Sequence, residues 1–227
     1  STGQTWRIEN ANAEFSTGPH DLGQIALTIA GRVVSGEAPR SPTPPVDSAG
    51  NVAEGCFAMA LSQTPEGHNR LDCRCNHVPM GPLTPWLQNV TDRPQVAGWL
   101  TVEGFATWPI GHDFKAGIGI LPDQFATSGF VTIEELDFIT GGLAADRLRL
   151  SRVDAPWNLS AEGGEVLINE FACRSEIGTL TAQGTVTRAS LTRQIAQDRS
   201  AFQDFTLQGN LDLARLAQML PHTLHIR

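Results

Sequence analysis

Alternation of apolar and polar residues with a period of two runs through most of the chain and constrains its fold more than any other feature. Such alternation is typical of β-strands that have one buried face and one solvated face. Clusters of Gly, Pro, Asn, Asp and Ser interrupt it at short intervals, as turns do. The pattern predicts ten strands: Thr5 to Phe15, Gln24 to Val34, Val52 to Ser62, Arg70 to Val78, Gly98 to Thr107, Phe130 to Thr140, Ala144 to Val153, Glu165 to Cys173, Gly178 to Thr187 and Phe202 to Leu211.

The connections between these segments predict antiparallel pairing. Thr140 to Gly142 and Glu162 to Gly164 supply glycines where tight hairpins require positive φ. The sequence between the predicted strands lacks the helical segments that usually connect parallel strands. We therefore expect an all-β fold, an antiparallel meander in which successive strands are neighbours.

Two pairs of segments share a pattern and predict an internal repeat. HVPMGPLTPWL, from His77 to Leu87, and NLDLARLAQML, from Asn210 to Leu220, each lead from an alternating segment into a short helix with an apolar stripe. The segments Glu14 to Val34 and Glu170 to Thr187 share a second pattern. Each begins with Glu-Phe, which is followed by Leu-Gly or Ile-Gly and then by alternating apolar and polar residues. A repeated unit that cannot bury its own apolar face stacks on a neighbour, which favours an elongated array.

The repeat predicts two units. The first covers residues 1–90, with a Pro-rich insertion at 35–50 and a short helix at 81–88, and the second covers 91–227 and ends in a short helix at 212–220.

The two helices are predicted from local signals. Pro82 suits the opening turn of the first helix. In the second, Asp212 is a natural N-cap and Pro221 ends the helix. The second helix has an apolar stripe with helical spacing, formed by Leu213, Leu216, Ala217 and Leu220.

Net charge argues against one class of partner, and hydropathy argues against a membrane-spanning helix in this sequence. The formal net charge is −8, with 24 acidic against 16 basic residues, whereas nucleic-acid binding requires a basic surface. No window approaches the roughly 18 to 20 consecutive apolar residues of a membrane-spanning helix. No nucleic-acid partner is expected.

The four cysteines are predicted to be free. Cys56, Cys73, Cys75 and Cys173 are too few for a disulfide framework in 227 residues, and we expect them to behave as small apolar residues. Cys73, Cys75 and His77 are residue types that bind zinc. On an extended strand all three side chains share one face but spread over about 13 Å, which is too far to hold one ion. No metal and no cofactor are therefore expected.

Catalysis is not expected, although one acidic cluster leaves it open as an alternative. Glu134, Glu135 and Asp137 lie close together, and paired carboxylates serve glycoside hydrolysis. Tryptophans such as Trp108 are able to stack on sugars, but buried aromatic residues at strand ends explain them equally well. A carbohydrate-active β-domain is the third hypothesis, after the two given below.

Strand-rich segments in the second half resemble the AsmA-like group of bacterial envelope proteins. They read LRLSRVDAPWNLSAEGGEVLINEF, GTLTAQGTVT and FTLQGNLDLARLAQMLPHTLHI. The group includes TamB-type proteins and their relatives among the bridge-like lipid transfer proteins. The resemblance covers most of Leu148 to Ile226 and, more loosely, Trp6 to Leu87. The chain departs from it in the Pro-rich insertion and in the hairpin from Val52 to Val78.

The resemblance implies a curved antiparallel sheet folded like a taco, with an apolar groove along which acyl chains lie. It implies a protein of the periplasm, anchored to the inner membrane by a segment outside this sequence. The implied partners are a phospholipid or another acyl lipid, and membrane proteins at the ends of the full-length array. No enzymatic step is implied.

One apolar face of the predicted strands supplies the candidate lipid-facing residues: Ile25, Leu27, Ile29, Val33, Phe57, Met59, Leu61, Leu180, Ala182 and Val186. Such a face has two interpretations. In the first it is an open groove that shields lipid chains. In the second it is the closed core of a structural or adhesive β-sandwich, covered by another sheet.

Overall fold

The computed structural model describes residues 6–17, 25–35, 51–87, 92, 94–110, 124–141, 146–187 and 202–224. Its strands form one curved antiparallel sheet in which each strand pairs with its neighbours in sequence, so the predicted all-β meander is confirmed. The strands are β1 (Trp6–Thr17), β2 (Ile25–Ser35), β3 (Cys56–Gln63), β4 (His68–Pro79), β5 (Gln95–Pro109), β6 (Phe125–Ile139), β7 (Arg147–Glu162), β8 (Glu165–Ser175), β9 (Gly178–Thr187) and β10 (Phe202–Leu211).

All ten predicted strands are present, and three of them have a boundary that differs from the prediction by four residues or more. β3 begins at Cys56, four residues after the predicted start at Val52. β6 begins at Phe125, five residues before the predicted start, and β7 continues beyond Val153 to Glu162. The two extensions pair with each other, Phe125 opposite Ala161. Pro156 lies within the β7 extension and lacks an N–H, and the pairing of β7 with β8 omits it. Pairing between strands therefore overrides the weak local preference of this segment.

The predicted glycine turn between β7 and β8 is confirmed. Gly163 and Gly164 have φ of +63° and +87°, and the two residues connect the directly paired Glu162 and Glu165. Positive φ at both central residues is the geometry of the two-residue turn that matches strand twist. In the other predicted turn, Gly142 lies outside the described residues.

Register shifts along the sheet account for its curvature. Among the described residues, four that are not glycine have positive φ, and each lies at a shift: Asn10 in β1, His77 in β4, Glu135 in β6 and Asp204 in β10. A further shift falls in β8 between residues 168 and 171. Such β-bulges bend the strand that carries them and increase its twist, so their spread over five strands favours a curved sheet.

Short helical segments lie where the sequence predicts them. A 3₁₀ turn (Gly81–Leu83) leads into α1 (Thr84–Leu87), and Pro82 lies in the opening turn as predicted. The later helix is divided into α2 (Leu213–Met219) and α3 (Pro221–Leu224).

The N-cap and the end of α2 are also confirmed. The Asp212 carboxylate accepts a hydrogen bond of 2.9 Å from the Arg215 N–H. α2 ends before Pro221, which starts α3 because proline fits the first turn of a helix. The predicted apolar stripe is covered unevenly, since Leu220 is buried whereas Leu213, in the first turn, is 66% exposed.

Both helical segments lie at the same end of the sheet. In an antiparallel meander all even-numbered strands run in the same direction and terminate at the same end of the sheet. α1 follows β4 and α2 follows β10, so both helices lie at that end. The 3₁₀ turn before α1 contacts β5, and α2 contacts β7. Buried apolar side chains at this end include Met80, Val96, Leu150 and Leu220. The helices therefore cover the end of the sheet, and we call this the helical end.

One buried carboxylate fixes the last helix to the sheet. Asp146, just before β7, accepts hydrogen bonds from the backbone N–H groups of His222 (3.2 Å) and Thr223 (2.6 Å). Burial opposes ionisation of this carboxyl, but the hydrogen bonds from Thr223 and His222 hold its pKa below its ordinary value. A carboxylate also complements the positive N-terminus of a helix. Asp146 therefore clamps α3 to the start of β7.

Asp146→Ala is expected to loosen α2 and α3 while leaving the strands in place. Backbone amides of residues 213–224 should exchange with deuterium severalfold faster, because the N–H groups of the clamp lose their acceptor. Since the folded pKa is lowered, the clamp is complete above pH of about 4 and is lost as the pH falls through the folded pKa. Glu165→Ala, in the turn at the opposite end, is the control. Unchanged exchange in Asp146→Ala would show that apolar packing alone holds these helices.

The sheet is continuous across the predicted division at residue 90. β4 and β5 pair from His68 opposite Pro109 to Pro79 opposite Trp99, so hydrogen bonds join the two predicted units. The division into units 1–90 and 91–227 stays a prediction. The Pro-rich insertion lies outside the described residues from 36 to 50.

Candidate functional site

An unbroken row of apolar residues crosses all ten strands. Because directly paired residues share a face of the sheet, the register places one residue from each strand in line. At the usual strand spacing the line is roughly 40 Å long. We call it the central row: Ala13, Ile29, Met59, Cys73, Gly104, Gly129, Trp157, Phe171, Ala182 and Leu207.

Further apolar residues flank the central row on the same face, which we call the apolar face. On one side Leu27, Leu61 and Leu71 are paired across β2 to β4. On the other side Val102 pairs with Val131. The face is therefore apolar over at least three residues along these strands and over ten strands across them.

The register places nine of the ten candidate lipid-facing residues on this face; only the backbone of Ile25 is described. Their exposure differs. Ile29, Met59 and Leu180 are exposed, and Ala182 and Val186 are buried. The half-buried members are Leu27, Val33, Phe57 and Leu61. Their contact with lipid stays a prediction.

No second sheet covers the apolar face among the described residues. All ten described strands belong to one sheet, and extensive contact between elements is limited to strands that are neighbours in it. Phe171 and Leu207, both in the central row, are among the exposed large apolar residues. The short helices described above lie at the helical end. The described part of the chain therefore leaves a continuous apolar surface along the middle of the sheet.

Trp157 covers two glycines at the centre of this row. A Cβ atom built on Gly129 would be 2.6 Å from Cζ2 of Trp157, and one built on Gly104 would be 2.8 Å from the same atom. The indole N–H donates a 3.0 Å hydrogen bond to Oγ1 of Thr127, which donates in turn to the Phe105 carbonyl at 2.8 Å. Because the two glycines have no side chains, they leave a trough in the apolar face. The indole fills this trough, and its polar N–H is hydrogen-bonded.

Ion pairs characterise the opposite face, which we call the polar face. Asp72, paired opposite Phe105, accepts two hydrogen bonds from Arg70 at 2.8 and 2.9 Å. Arg152 pairs with Asp154 at 2.8 Å. The face also carries two exposed apolar residues, Phe130 and Leu167, which the central row does not include.

The acidic cluster of β6 takes part in these ion pairs. The Glu134 carboxylate lies 3.3 Å from Nδ1 of His77 and 3.6 Å from Nη1 of Arg152. Asp137 forms a two-hydrogen-bond ion pair with Arg147, and these hydrogen bonds lower the pKa of Asp137. A glycosidase acid requires a raised pKa instead. The arrangement favours ion pairs that stabilise the sheet over an acid–base pair.

The cysteines and His77 lie on different faces. Cys73 and Cys75 are on the apolar face, whereas the His77 ring stacks on Trp99 on the polar face, with centroids 4.4 Å apart. The bulge at His77 separates them. Within the described ranges no three His, Cys, Asp or Glu side chains come close enough to hold a metal ion.

All four cysteines are free, as predicted. Cys56 is fully buried and the other three are half-buried. Burial raises the pKa of Cys73, and it raises the pKa of Cys75 to about 11. A thiol with so high a pKa is a poor nucleophile at neutral pH, so these residues act as part of the apolar surface.

Comparison with protein-family models, with curated proteins and with solved structures gave no match to this chain. Among the described residues, no helix is both long enough and apolar enough to cross a membrane.

Proposed function

We propose that this chain is a fragment of an AsmA-like envelope protein that shields lipid acyl chains, or conducts them between membranes, along its apolar face. The observation that carries the proposal is the central row, which is unbroken from β1 to β10 and is not covered by a second layer within the described ranges. The resemblance of the strand-rich segments to AsmA-like proteins supports the same function.

The chemistry of the face suits this ligand. An acyl chain is apolar along its length and forms no hydrogen bonds, so it requires a continuous apolar surface and no polar anchor. Burial of each methylene contributes about 0.8 kcal/mol, and a chain moving along a uniform row exchanges equivalent contacts. No cofactor and no covalent step are needed. In this proposal the protein acts in the periplasm, and a segment outside this sequence anchors it to the inner membrane.

Lipid capture by matched variants of the two faces tests the proposal. Met59→Glu with Leu180→Glu places charges on the apolar face, at residues that are 39% and 36% exposed. The control, Phe130→Glu with Leu167→Glu, places the same charges on the polar face, at residues that are 41% and 43% exposed. Because exposure is matched, the two double variants should have similar stability and differ in which surface becomes charged.

We expect phospholipid to co-purify with the wild-type protein and with the polar-face variant. The apolar-face variant should carry about fivefold less, because a desolvated carboxylate costs more than the lost methylene contacts contribute. Native mass spectrometry and lipid extraction measure the bound amount, and circular dichroism checks folding. Equal loss in both variants, or a lipid-free wild-type protein, argues against the proposal. A lipid-free protein would favour a structural or adhesive module.

A further inference from the structure

We infer that Trp157 is the residue over which a lipid acyl chain crosses the middle of the apolar face. This inference rests on the proposed function and deepens it, because it assigns one contact residue and a shape to the ligand. It starts from the position of Trp157 in the central row, between Gly129 and Phe171, its paired neighbours.

The exposed members of the central row fall into two groups on either side of this indole. Ile29 and Met59 are exposed on β2 and β3, and Phe171 and Leu207 are exposed on β8 and β10. Between the groups, β5 and β6 contribute only the glycines of the trough. Without the indole the central row would have a gap there. Trp157 closes this gap and makes the two groups one surface.

The indole is held in place rather than free to turn away. Its N–H is bonded to Thr127 Oγ1 at 3.0 Å, and its benzene ring lies against both glycines. This geometry satisfies the polar N–H, and the side chain is half-buried, so part of the ring stays accessible to a ligand. A continuous apolar row of this kind suits an extended hydrocarbon chain that lies along it, and not a compact ring system, which requires a deep pocket.

Quenching of tryptophan by bromine, which acts only near contact, tests the inference. The full chain is mixed with phosphatidylcholine vesicles whose acyl chains are brominated near the middle, and tryptophan emission is compared with that in unbrominated vesicles. The chain has five tryptophans, so Trp157→Phe reports the contribution of Trp157. Trp99→Phe is the matched control, because Trp99 lies on the polar face against His77.

Bromine is expected to quench the wild-type protein and Trp99→Phe equally, and Trp157→Phe should lose most of the quenching. If lipid binds by native mass spectrometry but Trp157→Phe is quenched as strongly as the wild-type protein, this inference is overturned and the proposed function stands. If no lipid binds, both are overturned. If Trp157→Phe does not fold, the wild-type protein is labelled with 5-fluorotryptophan, and the ¹⁹F NMR resonance of residue 157 reports the contact with the brominated chain. The other four Trp→Phe variants then assign its resonance by elimination.

Discussion

Gly129→Ala is expected to destabilise the protein by about 3 kcal/mol or more, enough to unfold a marginally stable sheet. The added Cβ would lie 2.6 Å from Cα of Gly104 and would also clash with the Glu103 carbonyl oxygen. Both are backbone atoms of the paired strand β5, so neither can turn away as a side chain does. Relief would require β5 and β6 to separate. Urea denaturation followed by circular dichroism measures the change.

Gly31→Ala is the matched control, because Gly31 is also a mid-strand glycine on the apolar face. Its added Cβ would meet only side chains, at 2.8 Å from Cγ2 of Ile8 and 3.1 Å from the Phe57 ring. Ile8 is on the edge strand β1 and is exposed, so it has room to move. We expect a loss below about 1 kcal/mol. Similar losses in the two variants would mean that the close backbone approach at Gly129 is not a constraint on the sheet.

The strands and their order were predictable because each rests on local signals. Alternation marks the ten strands, and the Gly163-Gly164 turn determines that β7 and β8 are antiparallel neighbours. Asp212 and Pro221 similarly mark the boundaries of α2. In each case the physical cause lies within a few residues of the element that it determines.

The central row was only partly predictable, because it is a property of register. Cys73, Gly104, Gly129 and Trp157 come from four separate strands, and only the pairing brings them into line. From the sequence alone, Gly104 and Gly129 do not indicate that the Trp157 ring occupies the space beside them. The sequence does contain a signal, because Gly104 and Gly129 lie in consecutive strands and Trp157 lies in the following strand. This signal can be recognised only when the register of the three strands is known.

The bulges were missed for a related reason. Asn10, His77 and Asp204 are residue types that are enriched at positive φ, although most residues of these types have negative φ, and Glu135 gives no such warning. Each bulge changes which residues share a face beyond it. This is why a simple period-two count put Cys73, Cys75 and His77 on one face, whereas His77 lies on the other.

Cys75 is expected to react with iodoacetamide at pH 8 about tenfold more slowly in the folded protein than in the unfolded chain. Burial on the apolar face raises the pKa of Cys75 from about 9 to about 11, so the reactive thiolate becomes roughly a hundredfold scarcer. The more basic thiolate is intrinsically more nucleophilic, which recovers about tenfold of that loss. Trypsin cleaves after Arg74, so mass spectrometry measures Cys75 separately from Cys73 without mutating either residue.

The dependence of the rate on pH separates low polarity from simple steric protection. A thiol that is only shielded would react slowly at every pH, and its rate would level off near pH 9 as in the unfolded chain. A thiol whose ionisation is opposed by an apolar surrounding continues to gain reactivity up to about pH 11. Unfolding in guanidinium chloride should restore the ordinary profile. A plateau near pH 9 in the folded protein would mean that water solvates the apolar face at Cys75, which is not the surface an acyl chain requires.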